Sequence, residues 1–116
     1  MRRAAHIDNS QPAIVAALRA IGASVQSLAP VGQGCPDILA GYKGVNVLIE
    51  CKTVGEGHDK LNALQTEWHA TWGGQVSVVR TPEEAQTEVI RIATALDAVG
   101  QLRAALGVSI RGFSRL

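Results

Sequence analysis

Two short apolar runs on either side of Lys43-Gly44 constrain this chain more than any other feature. Residues 37–42 and 45–52 are mostly apolar, too short for a stable helix, and separated by a glycine-bearing dipeptide. They therefore read as the arms of a β-hairpin. If Lys43-Gly44 is a two-residue turn, Tyr42 pairs with Val45, Ala40 with Val47 and Ile38 with Ile49. Lys-Gly is not the preferred turn dipeptide, and a longer loop would move this register by one or two positions. Along 45–52 the side chains alternate between faces. Val45, Val47, Ile49 and Cys51 make one uniformly apolar face, whereas Asn46, Leu48, Glu50 and Lys52 make the other.

The segments around the hairpin supply helices and further strands. Residues 12–21 place Ile14, Val15, Leu18 and Ile21 at helical spacing, with Asp8, Asn9 and Ser10 offering cap oxygens, Pro12 in the first turn and Gly22 at the end. Residues 23–28 alternate and form a short strand, and 31–36 are a glycine-rich turn. A loop over 53–59 leads to a helix over 60–72, with Leu61, Leu64 and Trp68 on its inner stripe and Gly73-Gly74 stopping it. Residues 75–80 form a fourth strand. Thr81-Pro82-Glu83-Glu84 starts the last helix, which runs through Val89, Ile92 and Leu96 to Gly100, with 101–106 able to extend it. The order is α-β-β-β-α-β-α: an α/β fold with a mixed four-stranded sheet flanked by helices.

At 116 residues, 47% of them apolar, the chain is one domain with a real core. Disorder is excluded, and no run reaches the roughly 18 apolar residues of a membrane span. The N-terminus does not continue into a signal-peptide stretch, and Cys35 and Cys51 are too few for a disulfide framework, so a cytoplasmic protein with free thiols is expected. The net charge of +1 hides an uneven distribution. Arg2, Arg3 and Arg19 face only Asp8 in the first thirty residues, and Arg103, Arg111 and Arg115 stand without an acid at the end. Residues 31–100 hold five basic and nine acidic side chains. Basic ends around an acidic centre suit a polyanion at the edges and a cation in the middle.

The hairpin register sets Asp37 opposite Glu50, with Cβ atoms about 5 Å apart. Like charges at that distance destabilise a sheet, and a divalent cation relieves them. Lys52, on the same face as Glu50, could orient or deprotonate an attacking water, or neutralise charge on a phosphorane. The plainer reading of the same residues is a strand-end salt bridge of Lys52 with Glu50 or Asp37. A zinc set of Cys35, Cys51, His58 and His69 lacks paired-ligand spacing. Residues 32–34 do not form a phosphate-binding loop, because a strand and not a helix follows them, so no nucleotide cofactor is expected. Trp68 falls in line with the core stripe.

Pro36-Asp37, a thirteen-residue step, and Glu50-Cys51-Lys52 resemble the PD-(D/E)XK nuclease signature. Asn9-Ser10-Gln11, Ile14-Val15-Ala16-Ala17-Leu18-Arg19, Gly32-Gln33-Gly34-Cys35-Pro36-Asp37 and residues 61–72 are similar to small phage-type nucleases of the VRR-NUC group, and to Holliday junction resolvases. The likeness spans roughly residues 3–90. It implies an αβββαβ restriction-endonuclease-like core over residues 1–100, with 101–116 as a basic C-terminal extension. It also implies a phage- or prophage-encoded endonuclease that cleaves DNA in a host cytoplasm, with branched structures among its candidate substrates. Asp37, Glu50 and the Cys51 main-chain carbonyl would hold Mg²⁺ or Mn²⁺, Lys52 would be the catalytic lysine, and Gln65 would position water or phosphate. Gln11 stands where the family often has an acid, which leaves a catalytically idle binding module as the alternative. Arg2, Arg3, Lys43, His58, Lys60 and His69 are candidate nucleic-acid contacts. A homodimer is expected from the small size. With four aromatics in the chain, backbone and shape contacts should outweigh base stacking.

Overall fold

A computed structural model describes residues 10–55 and 60–107. The elements follow the order α1 (Gln11–Ala20), β1 (Ser24–Ser27), β2 (Ile38–Tyr42), β3 (Val45–Cys51), α2 (Ala63–Thr71), β4 (Val76–Val79) and α3 (Pro82–Ala105). The fold is α/β: an open, mixed four-stranded sheet in the order β1-β2-β3-β4, with three helices. β1, β2 and β3 are successively antiparallel, and β4 joins β3 in parallel. Such a parallel neighbour requires a crossover, and α2 lies within it.

The hairpin adopts the expected register, with Tyr42 opposite Val45 and Ile38 opposite Ile49. Lys43 (φ 48°) and Gly44 (φ 83°) both occupy the left-handed region, the requirement of a type I′ turn. The lysine ammonium stands 5.6 Å from the centre of the Tyr42 ring. The fold thus uses a non-preferred residue at the turn, because the right-handed twist of the arms selects the turn type.

One face of the sheet carries the core. Ile38 and Ala40 of β2, Val47, Ile49 and Cys51 of β3 and Val79 of β4 pack with Ile14 and Leu18 of α1 and Ala85, Val89 and Ile92 of α3. The Gln86 amide donates to the Ala17 carbonyl at 2.9 Å, tying α3 to α1. α1 ends in a Schellman arrangement, with Gly22 N–H donating to Arg19 O and Ala23 N–H to Leu18 O. α3 begins as its sequence indicates: Thr81 accepts from Glu84 N–H at 3.0 Å, with Pro82 next. It continues without a break through Gly100. Its buried residues are Ala85, Val89, Ile92 and Ala93, whereas Leu96, Val99, Leu102 and Leu106 are exposed.

Two expectations are corrected. Ser10 is the N-cap of α1 but makes no side-chain cap bond; its hydroxyl donates to the Lys52 carbonyl at 3.0 Å, a tertiary bond in place of the local one. The second helix starts at Ala63, not near residue 60, and Leu64 is 58% exposed rather than on an inner stripe. α2 buries none of its residues fully, because it sits over the polar face of β3 and not over the core. Trp68 is half-buried and stacks on Trp72, ring centres 4.5 Å apart. Among the described residues no helix is long and apolar enough to cross a membrane.

Candidate active site

Strand alternation turns Glu50 away from Ile49 and Cys51, so its carboxylate leaves the core face. It is nevertheless 1% exposed. Burying a carboxylate is costly unless polar groups surround it. Here Gln65 Nε2 donates to Glu50 Oε2 at 3.1 Å, the Lys52 ammonium lies 3.8 Å from the same oxygen, and His69 Nε2 lies 3.9 Å from Oε1.

Gln65 joins the acid to the amine, since its Oε1 accepts from Lys52 Nζ at 2.8 Å. Two further bonds fix the glutamine. Its Oε1 accepts from Asn62 N–H at 3.0 Å, while its own N–H donates to Asn62 Oδ1 at 2.9 Å. These form a capping box, so the residue that starts α2 is also the one that bridges Glu50 and Lys52. Asn62 is a candidate positioning residue absent from the sequence-based set, although Asn-x-x-Gln before a helix is a legible signal.

Lys52 is fixed from two further directions. Its N–H donates to Val79 O at 2.9 Å, one step beyond the β3–β4 ladder, and its carbonyl accepts the Ser10 hydroxyl. Asp37 lies just before β2, and its Oδ2 accepts from Cys51 N–H at 2.7 Å. The Asp37 carbonyl accepts from Leu28 N–H at 2.8 Å, which extends the β1–β2 pairing to this residue. Asp37 and Glu50 act on one neighbour: the half-buried Cys35 thiol is pushed up by burial first, then by Glu50 and by Asp37. The thiol therefore stays protonated beside a concentrated negative field.

His69 lies one helical turn beyond Gln65. Burial, and then the Lys52 charge, pull its pKa below the ordinary histidine value, which favours the neutral ring. Its buried Nε2 makes no hydrogen bond with the described residues. Gln11 is buried at the start of α1 and shares a cavity wall with Asp37 and Gln65.

The structure thus brings together Asp37, Glu50, Lys52, Gln65 and His69, with Cys51 and Gln11 beside them. It does not bring Lys43 to them. The hairpin turn is at the opposite end of β3 from Glu50, about 20 Å away at the usual strand rise. Lys60 is exposed at the start of the segment leading to α2. Arg2, Arg3 and His58 lie outside the described residues.

The donor set suits a hard cation. Among the described residues no three His, Cys, Asp or Glu side chains converge as a ligand group. A cation here would draw on the two carboxylates and fill its other positions with water and phosphate oxygens, the usual Mg²⁺ mode. Against known protein families, curated proteins and solved structures, the chain gives no match.

Proposed function

We propose that this chain is a metal-dependent DNA endonuclease of the PD-(D/E)XK type. The reading rests on one observation: a buried glutamate near the end of β3 and a lysine just beyond it, two residues apart, held by one glutamine beside a second carboxylate. Asp37, Glu50 and the Cys51 main-chain carbonyl would hold Mg²⁺ or Mn²⁺. When bound, that ion supplies charge stabilisation for the phosphoryl oxygens and the leaving oxygen. Lys52 Nζ orients the attacking water and, as the neutral amine, takes up its proton to become the ammonium, Gln65 sets the direction of Nζ, and neutral His69 accepts a hydrogen bond from water or donates one to phosphate. The restriction-endonuclease-like core, a branched DNA substrate and a phage or prophage origin in a host cytoplasm belong to this same proposal.

Incubation with branched, duplex and single-stranded DNA separates the two readings of the site. Cleavage in Mg²⁺ or Mn²⁺, abolished by EDTA, is the expected result. Binding of DNA without cleavage under every metal would instead establish the idle module, a reading favoured by neutral Gln11 at the position where the family often carries an acid.

The working unit is proposed as a homodimer. Val89, Ile92, Leu96 and Val99 follow one three-four spaced stripe along α3, and the core covers only its first part. A second copy of α3 completes it. Sedimentation of the intact protein is expected to give a dimer, and Leu96→Glu with Val99→Glu a monomer; a monomeric wild type overturns this part.

A further inference from the structure

The cavity beside the carboxylates is not used by the chemistry above. It has a volume of about 270 Å³ and lies between the start of α1, the turn at 28–36 and the start of α2. Gln11, Leu28, Asp37, Leu64 and Gln65 are among the residues that line it. Gln11 is 8% exposed, and its amide makes no hydrogen bond with another described residue. Neither amide atom of Gln11 is among the fully buried unpartnered ones, so its donor and acceptor are open to a ligand in the cavity.

Charge narrows the ligand. Among the described residues no lysine or arginine lines this cavity and Asp37 does, which disfavours a phosphate. An amide among leucine side chains suits a nucleobase instead: the edge pairs with the amide, and the faces rest on apolar side chains. Size narrows it further. The volume falls just below the common range for small-molecule pockets, so one base fits and a base pair does not. The wall is also firm, since Gly34 sits so close to α2 that a Cβ there would stand 2.5 Å from the Leu64 carbonyl oxygen.

We infer that this cavity holds one unpaired nucleobase next to the cleaved phosphate, so that the favoured substrate carries an unpaired nucleotide at the cut. The inference rests on the nuclease reading for its placement, but not for its test. Binding is measured by anisotropy in Ca²⁺, with strands verified intact, on a fully paired duplex and on the same duplex with one unpaired nucleotide. The wild type is expected to favour the second by about tenfold, the scale of one good amide–base pairing. Gln11→Leu, and independently Ala29→Trp, which fills the cavity from an exposed position, should erase that preference. Equal binding of the two duplexes by the wild type, binding of neither, or a preference that survives both variants would overturn the inference. Cleavage in Mn²⁺ distinguishes the two ideas. A cavity-dependent preference without cleavage sinks the nuclease reading alone, and cleavage with no preference sinks the cavity alone.

Discussion

Lys52→Ala is expected to lower metal-dependent DNA cleavage by at least about 100-fold, the lower end for loss of a general acid or base. The loss should fall on kcat more than on KM, because the ammonium is turned inward toward Gln65 and Glu50 and its side chain is only 12% exposed. Lys52→Arg sharpens the test. It keeps the charge near Glu50 but carries a group that does not release a proton in proteins. If arginine restores cleavage, Lys52 acts as a fixed charge; if it does not, the lysine moves the proton. Circular dichroism of both variants should match the wild type, since the main-chain bonds of residue 52 to Val79 and Ser10 do not involve the removed atoms. Cleavage by Lys52→Ala at the wild-type rate would remove Lys52 from the mechanism.

The largest stability effect is expected at Gly34. Its φ is 82°, and an added Cβ would lie 2.5 Å from Leu64 O and 2.8 Å from Leu64 C, both backbone atoms that cannot swing aside. Gly34→Ala combines left-handed strain with a collision and should cost about 3 kcal/mol or more in urea unfolding. Gly32→Ala is the internal control. Its φ of 66° carries the same strain, but nothing lies within 4 Å, so about 1 kcal/mol is expected. Gly34→Ala should also depress cleavage, because Leu64 precedes Gln65 and a displaced α2 start moves the bridging amide. Equal costs for the two substitutions would show that the turn, not its contact with α2, sets the stability.

Much of the fold is legible in local chemistry. The Lys43-Gly44 turn and the alternation after it determine which face Glu50 takes, and the Thr81-Pro82 start and the Gly22 stop bound their helices by residue type alone. The second helix is less legible. Leu61, Leu64 and Trp68 keep helical spacing, which suggests an apolar inner stripe, yet the face that meets the sheet is the polar one bearing Gln65 and His69. Periodicity reports that apolar residues share a side, not that the side is covered. The site shows the same division. Asp37, Glu50 and Lys52 follow from strand register, and Gln65 from the family resemblance, whereas the Ser10 hydroxyl on Lys52 and the Asp37 carboxylate on Cys51 N–H join residues 42 and 14 positions apart. No local pattern encodes such bonds.

The anchoring of Lys52 also sets an order of events. Its amide is bound by Val79 and its carbonyl by Ser10, so its position depends on chain from before β1 and from beyond α2. The hairpin can close from neighbouring residues, but the parallel partner must first be brought back across the α2 crossover, and such non-local pairing is slow. A growing chain that has made only its first three strands carries both carboxylates on a hairpin whose lysine lacks its Val79 anchor. On the proposed nuclease reading, the chemistry would therefore be withheld until the fourth strand docks.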